Sequence, residues 1–395
     1  MLLLIIGEGM KKLLRFYRDM DKTILFTSLI LIIFGTLNIV TASSREAVLN
    51  TNNSMFYYFY KHIIILLLSL IGFLIVIRIP TKNYDKYLLI IYIIVLALNI
   101  YLILQGVTTR GASNWIDLKF FKLQPSEFAK PVSIVAMSVL LHNFNRLFID
   151  KTVKHSNVIG KMIGLLLVFP IVVFLQKDVG TASILFGIFL VLFIFSNLSF
   201  KEKAVSLFLI VAVTSMLLIV RLSINGYILS NTQSSRISNF FNPCSKYEET
   251  GYQVCNAFIA INNGGVFGVG IGNSTQKYSY IPEPHTDMVF SIIAEENGVV
   301  KCSLIFIAYL IILYRILKIS MNTKTIRNKN ICLGVATYIF LHILINLGGL
   351  FGVIPLTGVP LPFLSYGGSF MISLIASIAM VERVHIEMKN EKIRV

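Results

Sequence analysis

Ten apolar stretches, each about long enough to cross a lipid bilayer, leave this chain few ways to fold. A helix needs roughly 20 apolar residues to span the hydrocarbon core, where no water is available to satisfy backbone amides. We read such helices at approximately 23–43, 61–79, 87–106, 124–142, 160–175, 179–197, 203–221, 298–317, 331–350 and 365–383. The fifth is short, and Pro170 predicts a kink in it. A long loop, 222–297, separates the seventh from the eighth, and no segment is long enough to form a separate soluble domain. The expected fold is therefore an all-α integral membrane protein of ten transmembrane helices, with residues 1–395 forming one polytopic domain.

Composition agrees. Only 14% of residues are charged and 56% are hydrophobic, whereas soluble domains carry about 25% charged residues. The net charge of +16 could suggest nucleic acid, but the basic residues sit in short clusters between apolar runs, so nucleic acid is not expected as a partner. Counted over the short connecting segments, 23 lysines and arginines fall on one side and six on the other. The positive-inside rule then places both termini in the cytoplasm and loop 222–297 outside. The opening run MLLLIIGEG is too short for a signal peptide, and Met10 is as plausible a start as Met1. Cys244 and Cys255 share the long loop and could pair if it is exported, with two free thiols as the alternative.

Ionisable residues near or within spans need a reason, because a charge at the bilayer centre costs at least ~2.5–3.5 kcal/mol. Here they crowd the outer side: Arg110, Asp117, Glu127, Lys130, Asp178, Glu283, His285, Asp287, Glu295 and Glu296. Glu127 and Lys130, three apart, share a helix face, either as a mutual ion pair or as the wall of a polar cavity. Arg110 could grip phosphate oxygens or a lipid headgroup. Asp178, in QKDVGTAS, stands at a tight turn where a helix N-cap is an equal reading. The run NNGGVFGVGIGNSTQK lacks the flanks of a nucleotide cradle and reads better as a re-entrant or interfacial loop.

The stretch YIPEPHTDMVFSIIAEENG is the most suggestive. Pro282 and Pro284 stiffen the chain around Glu283, and Asp287 then stands where the apolar run begins. Partial desolvation there makes a carboxylate a better base, with a cap for the helix starting near 288 as the alternative reading of Asp287. His285 could orient Asp287, contact substrate, or serve as a structural donor. The uncharged run GVIPLTGVPLPFLSYGGS predicts a rigid re-entrant turn, with Ser365, Tyr366 and Ser369 as its hydrogen-bonding groups.

Four stretches together resemble one family. They are RGASNWIDL with QPSEFAKP, QKDVGTA, GGVFGVGIGNSTQKYSYIPEPHTDMVFSIIAEENG, and PLTGVPLPFLSYGGS. In this order, and over nearly the whole chain, they resemble the SEDS proteins of bacterial cell-wall synthesis, the FtsW/RodA group, leaning towards the FtsW branch. Lys177 stands where the family often has Pro, and Asn114 where a basic residue is common. The resemblance implies a glycosyltransferase that polymerises lipid II at the outer face of the cytoplasmic membrane, with undecaprenyl pyrophosphate as leaving group. It implies Asp287 as the essential aspartate and general base. Substrate contacts would come from Arg110, Glu127, Lys130, Glu283, His285, Ser365 and Ser369. A divalent cation, Mg or Mn, could assist, and no nucleotide or organic cofactor is expected. The implied partners are a class B penicillin-binding protein, other divisome or elongasome membrane proteins, and membrane lipids. Rival readings are a lipid II flippase, which needs polar groups reachable from both sides, and a non-catalytic scaffold, for which Asp287 would be dispensable.

Overall fold

The computed structural model describes residues 16–51, 54–105, 114–117, 122–150, 164, 167–205, 207–208, 222, 231–241, 243–244, 251–278, 281 and 284–393. Among these, the helices are α1 (Lys22–Thr51), α2 (Tyr57–Val76), α3 (Tyr84–Gln105), α4 (Pro125–Asp150), α5 (Val179–Ile194), α6 (Asn231–Phe241), α7 (Tyr252–Gly264), α8 (Val289–Asn322), α9 (Ile326–Leu350) and α10 (Gly368–Ile393). A two-residue antiparallel ladder, β1 (Ile116–Asp117) with β2 (Lys122–Leu123), leads into α4. Six segments are long and apolar enough to cross a membrane: Lys22–Leu49, Tyr57–Val76, Thr81–Gln105, Val289–Asn322, Ile326–Leu350 and Gly368–Glu391. The chain is a multi-pass membrane protein. The expected spans 160–175 and 203–221 fall largely outside the described residues.

Packing follows from which faces are apolar all round. Helices α9 and α10 are mostly buried, whereas α2 and α3 turn most of their surface outward, with Ile64, Leu67, Ile71, Leu89, Ile90 and Ile93 exposed. Such faces suit lipid, which solvates them as well as a protein core does. Around the central pair, α10 packs on α2, α9 on α4, α5 and α8, and α8 on α1 and α7. At the end opposite Asp287, polar contacts lock the helices. Arg315 pairs with Asp21, and Glu387 accepts from the Thr81 amide (2.9 Å), the Thr81 hydroxyl (2.5 Å) and Asn328 (3.2 Å).

Two features depart from a simple bundle. First, the eighth span, expected at 298–317, begins at Val289 and is broken at Gly298 (φ 70°, ψ 178°). A broken helix leaves carbonyls unpaired on one side of the break and amides on the other. The glycine-rich run supplies both partners. The Glu295 and Glu296 carbonyls accept from the amides of Val269 (2.9 Å) and Gly270 (3.1 Å). The amides of Val299 and Val300 donate back to the carbonyls of Gly265 (3.0 Å) and Val266 (3.2 Å). The run is therefore a splice for a broken helix. Cys244 and Cys255 are joined as a disulfide, tying the segment after α6 to α7.

Second, the last connection re-enters the bundle. The Phe363 carbonyl and the Leu364 backbone press against Gly35, where an added Cβ would sit 2.6 Å from Phe363 O. Gly35 lies about 20 Å along α1 at 1.5 Å per residue, so the loop reaches roughly mid-helix. Non-helical backbone at that depth must be satisfied by protein. Asn346 Nδ2 donates to Val359 O (2.7 Å), His342 Nδ1 to Pro360 O (3.0 Å) and Tyr309 Oη to Pro362 O (2.5 Å).

The splice tolerates no side chain at its closest approach. A Cβ on Gly298 would lie 2.3 Å from Gly268 N, in a backbone conformation that L-residues avoid. Gly298→Ala is expected to destabilise the protein by roughly 2 kcal/mol or more, read as a lower melting temperature in detergent. Gly72→Ala, with open space around it inside α2, should not lower the melting temperature.

Candidate active site

The turn carrying Asp287 is wedged between the re-entrant loop and the short half of α8. Its backbone is held at two points. Tyr366 N donates to His285 O (2.8 Å), and Asn346 Nδ2 donates to Asp287 O (2.7 Å) while also holding Val359 O. One amide thus clamps the turn to the loop. The cap position of α8 is Met288, with no side-chain capping bond, so the carboxylate of Asp287 does not serve as the helix cap. Asp287 Oδ1 accepts from Thr286 Oγ1 (3.0 Å), and Oδ2 faces Gly358, 3.5 Å from where a Cβ would stand. A glycine there (φ 77°) keeps the approach to the carboxylate open. Asp287 itself is half-buried.

His285 is buried and does not face an open mouth. Its Nδ1 lies 3.2 Å from Glu46 Oε2, and its ring packs between Tyr58 (centroids 4.3 Å) and Tyr366 (5.2 Å).

Glu127 and Lys130 form a buried pair, Nζ to Oε1 2.7 Å, with Lys130 0% and Glu127 1% exposed. Lys130 Nζ also lies 3.0 Å from His342 Nε2. Because the ammonium can only donate, this network assigns Nε2 as acceptor and leaves Nδ1–H for Pro360 O. His342 and Asn346 are four apart on α9, so the pair, the re-entrant loop and the Asp287 turn form one connected network. As placed, Glu127 and Lys130 face each other and His342. Ser365 Oγ accepts from Leu361 N (2.8 Å), and Ser369 Oγ accepts from Gln124 N (2.8 Å), so both hydroxyls brace backbone. Arg110 and Glu283 lie outside the described residues.

Asp178 does cap α5, accepting from Thr181 N at Oδ1 (3.0 Å). Its Oδ2 accepts from Asn114 Nδ2 (3.0 Å) and Gln124 Nε2 (3.1 Å), which binds the segment before α4 to the start of α5. Gly180 in the first turn of α5 touches Thr357 and Val359. Exposed Arg236, on α6, donates to Thr357 O (3.0 Å), one residue from Gly358. Arg236, Glu46 and Asn346 were all missed in the sequence. A guanidinium in a polar loop and an Asn inside an apolar run give no periodic signal, and Glu46 looks like an ordinary helix-end residue. Among the described residues, no three His, Cys, Asp or Glu side chains gather as a metal site; Glu127 Oε1 is held by Lys130, and Oε2 is buried without a hydrogen-bond partner.

A polytopic helical fold with a clamped aspartate at one end of the bundle defines a class of membrane proteins rather than one member. The model of the FtsW/RodA/SpoVE cell cycle protein family matches residues 21–390, and the chain belongs to this family. It is 32% identical over 375 residues to a probable peptidoglycan glycosyltransferase FtsW of Wigglesworthia glossinidia brevipalpis, covering 94% of this chain and 95% of that one. It is 29% identical over 376 residues to the peptidoglycan glycosyltransferase MrdB of Escherichia coli K12, covering 94% of each. The fold also matches Thermus thermophilus RodA (TM-score 0.63, 22% identity, 93% and 96% covered). A chain of a solved peptidoglycan synthase complex, described as coordinating polymerization and crosslinking, matches with TM-score 0.67 at 22% identity, covering 93% and 97%.

Removing one partner of a buried ion pair leaves the other charge uncompensated. Lys130→Met is expected to cost about 3–5 kcal/mol, and adding Glu127→Leu should recover part of that loss. Thermal melts of the two singles and the double check this.

Proposed function

We propose that the protein is a peptidoglycan glycosyltransferase that polymerises lipid II, with Asp287 as general base. The observation that carries this reading is the clamp on the Asp287 turn, which fixes a half-buried carboxylate against a glycine-lined opening. In this reading the Asp287 carboxylate takes the proton of the acceptor GlcNAc 4-hydroxyl. The freed oxygen attacks the MurNAc anomeric carbon from the face opposite the leaving group, and a β-1,4 bond forms. The bond from that carbon to the pyrophosphate breaks, and undecaprenyl pyrophosphate departs with the electron pair. The transition state has the oxocarbenium character of other glycosyl transfers.

The departing diphosphate needs positive charge. Arg236, one residue from Gly358 through its bond to Thr357 O, is placed for this, and Arg110 is the second cation we assign to it. Lys130 acts at one remove, through His342 and the Pro360 carbonyl. Ser365 and Ser369 act by holding the loop. Glu283 stays a proposed substrate contact at the same turn. No step here is routed through a divalent cation.

The distribution of basic residues supports cytoplasmic termini, with the Asp287 end at the outer leaflet, where a lipid-linked sugar could enter from the membrane plane. The solved synthase complex supports a class B penicillin-binding protein as the partner that crosslinks the product. Relatives of both the FtsW and MrdB kinds match, and the first-matching ones carry the FtsW name, which favours the division branch.

Asp287→Asn keeps shape and hydrogen bonding but removes the base. Purified variant incubated with lipid II is expected to form no glycan ladder on a gel, with an unchanged melting temperature; ladders at the normal rate would refute the assignment.

A further inference from the structure

Helix α1 contributes two side chains to the segment that carries the base. Thr41 Oγ1 donates to Glu296 Oε2 (3.2 Å), in the last turn before the Gly298 break. Glu46, five residues further along the same helix, places Oε2 3.2 Å from His285 Nδ1, on the other side of Asp287. Helix α1 thus touches the half-helix 289–297 and its leading turn at both ends. Among the described residues, the ring also neighbours Tyr58 and His62 from α2 and Tyr366 from the re-entrant loop. A planar ring packed between two phenols can still slide or flip within its plane, and the Glu46 carboxylate oxygen 3.2 Å from Nδ1, a close contact outside hydrogen-bond geometry, restricts that freedom.

From this we infer that Glu46 is a positioning residue: it holds the His285 ring and thereby sets where the Asp287 carboxylate stands, two residues on. The inference rests on Asp287 being the base. Glu46 makes no substrate contact in it, and its role is geometric. Misplacing a reacting group by about 1 Å can cost on the order of 100-fold in rate. Loss of Glu46 should therefore appear in turnover and not in substrate affinity.

The test is steady-state lipid II polymerisation by purified, reconstituted protein. Glu46→Gln is expected to lower kcat roughly 10-fold or more with KM within about twofold, at an unchanged melting temperature. Glu46→Asp keeps the charge and should retain more activity than Glu46→Gln. Adding His285→Gln to Glu46→Gln should cost little beyond the larger single effect, because both changes remove one contact. Normal kcat in Glu46→Gln overturns the inference. So does a fall in kcat that tracks a falling melting temperature, a Glu46→Asp variant no better than Glu46→Gln, or losses that multiply in the double variant. If Glu46→Gln fails to fold, the same kcat and KM comparison on Glu46→Asp and His285→Gln decides, with equal kcat to the parent in both counting against it. Asp287→Asn is run alongside. A dead Asp287→Asn with a normal Glu46→Gln removes only the Glu46 role, whereas an active Asp287→Asn removes the base assignment itself.

Discussion

Backbone that leaves the helical state inside a bilayer must find every hydrogen-bond partner within the protein. Among the described residues this happens in two places, and both adjoin Asp287. On one side, the splice formed by residues 265–270 closes the break in α8. On the other, three side chains from α8 and α9 satisfy the re-entrant carbonyls of Val359, Pro360 and Pro362. An unpaired amide or carbonyl costs several kcal/mol in hydrocarbon, so neither region can rearrange without losing more than it gains. The rigidity of the Asp287 turn follows from this requirement. Asn346 meets it with a single amide that reaches both the loop and the turn.

Buried charge answers to the same constraint. Glu127 with Lys130, and Glu296 with Lys277 (3.2 Å), are pairs that burial alone would destabilise. In each pair the ammonium uses further donor capacity, while Glu127 Oε2 is buried without a hydrogen-bond partner among the described residues. Lys130 adds His342, and Lys277 Nζ adds the Gly272 carbonyl at 2.5 Å. Glu295, unpaired by any cation among the described residues, instead accepts from the Ser274 hydroxyl, from Thr275 Oγ1 (2.9 Å) and from the amides of Thr275 and Gln276 (both 3.3 Å). Such networks contribute little net stability. They specify one arrangement, because every alternative strands a charge.

Much of this was legible in the residues, for reasons that also mark where legibility ended. Span length is a one-dimensional property, so most helices fell where the apolar runs did. The Asp287 turn stood out because a carboxylate at the onset of an apolar run is costly. The Glu127–Lys130 spacing indicated a shared helix face, with an ion pair as one of two readings, but His342 as its third member lies 212 positions away and no local pattern reports it. The Gly298 break was hidden for a different reason. A glycine inside an apolar run reads as a tolerated weak point, and only the matching amides and carbonyls of residues 265–270 turn it into a designed interruption. Glu295 and Glu296 stood among the outer-side acids that needed a reason, and their carboxylates hold residues 274–277, just after the splice.

The break also explains how one helix serves two solvents. Beyond Gly298, α8 presents Val299, Val300 and Leu304 outward, each at least half exposed, which suits lipid. Before it, every residue from Val289 to Gly298 is buried, and Glu295, Glu296 and Asn297 there could not face hydrocarbon. A continuous helix would carry these polar groups round to the lipid-facing side as it turned. Interrupting it lets the first half be encased by α7, the glycine run and α1, while the second half anchors in the membrane. Asp287 then leads into a protein-solvated segment whose orientation is set by its casing. Helix tilt in the bilayer acts on the other half.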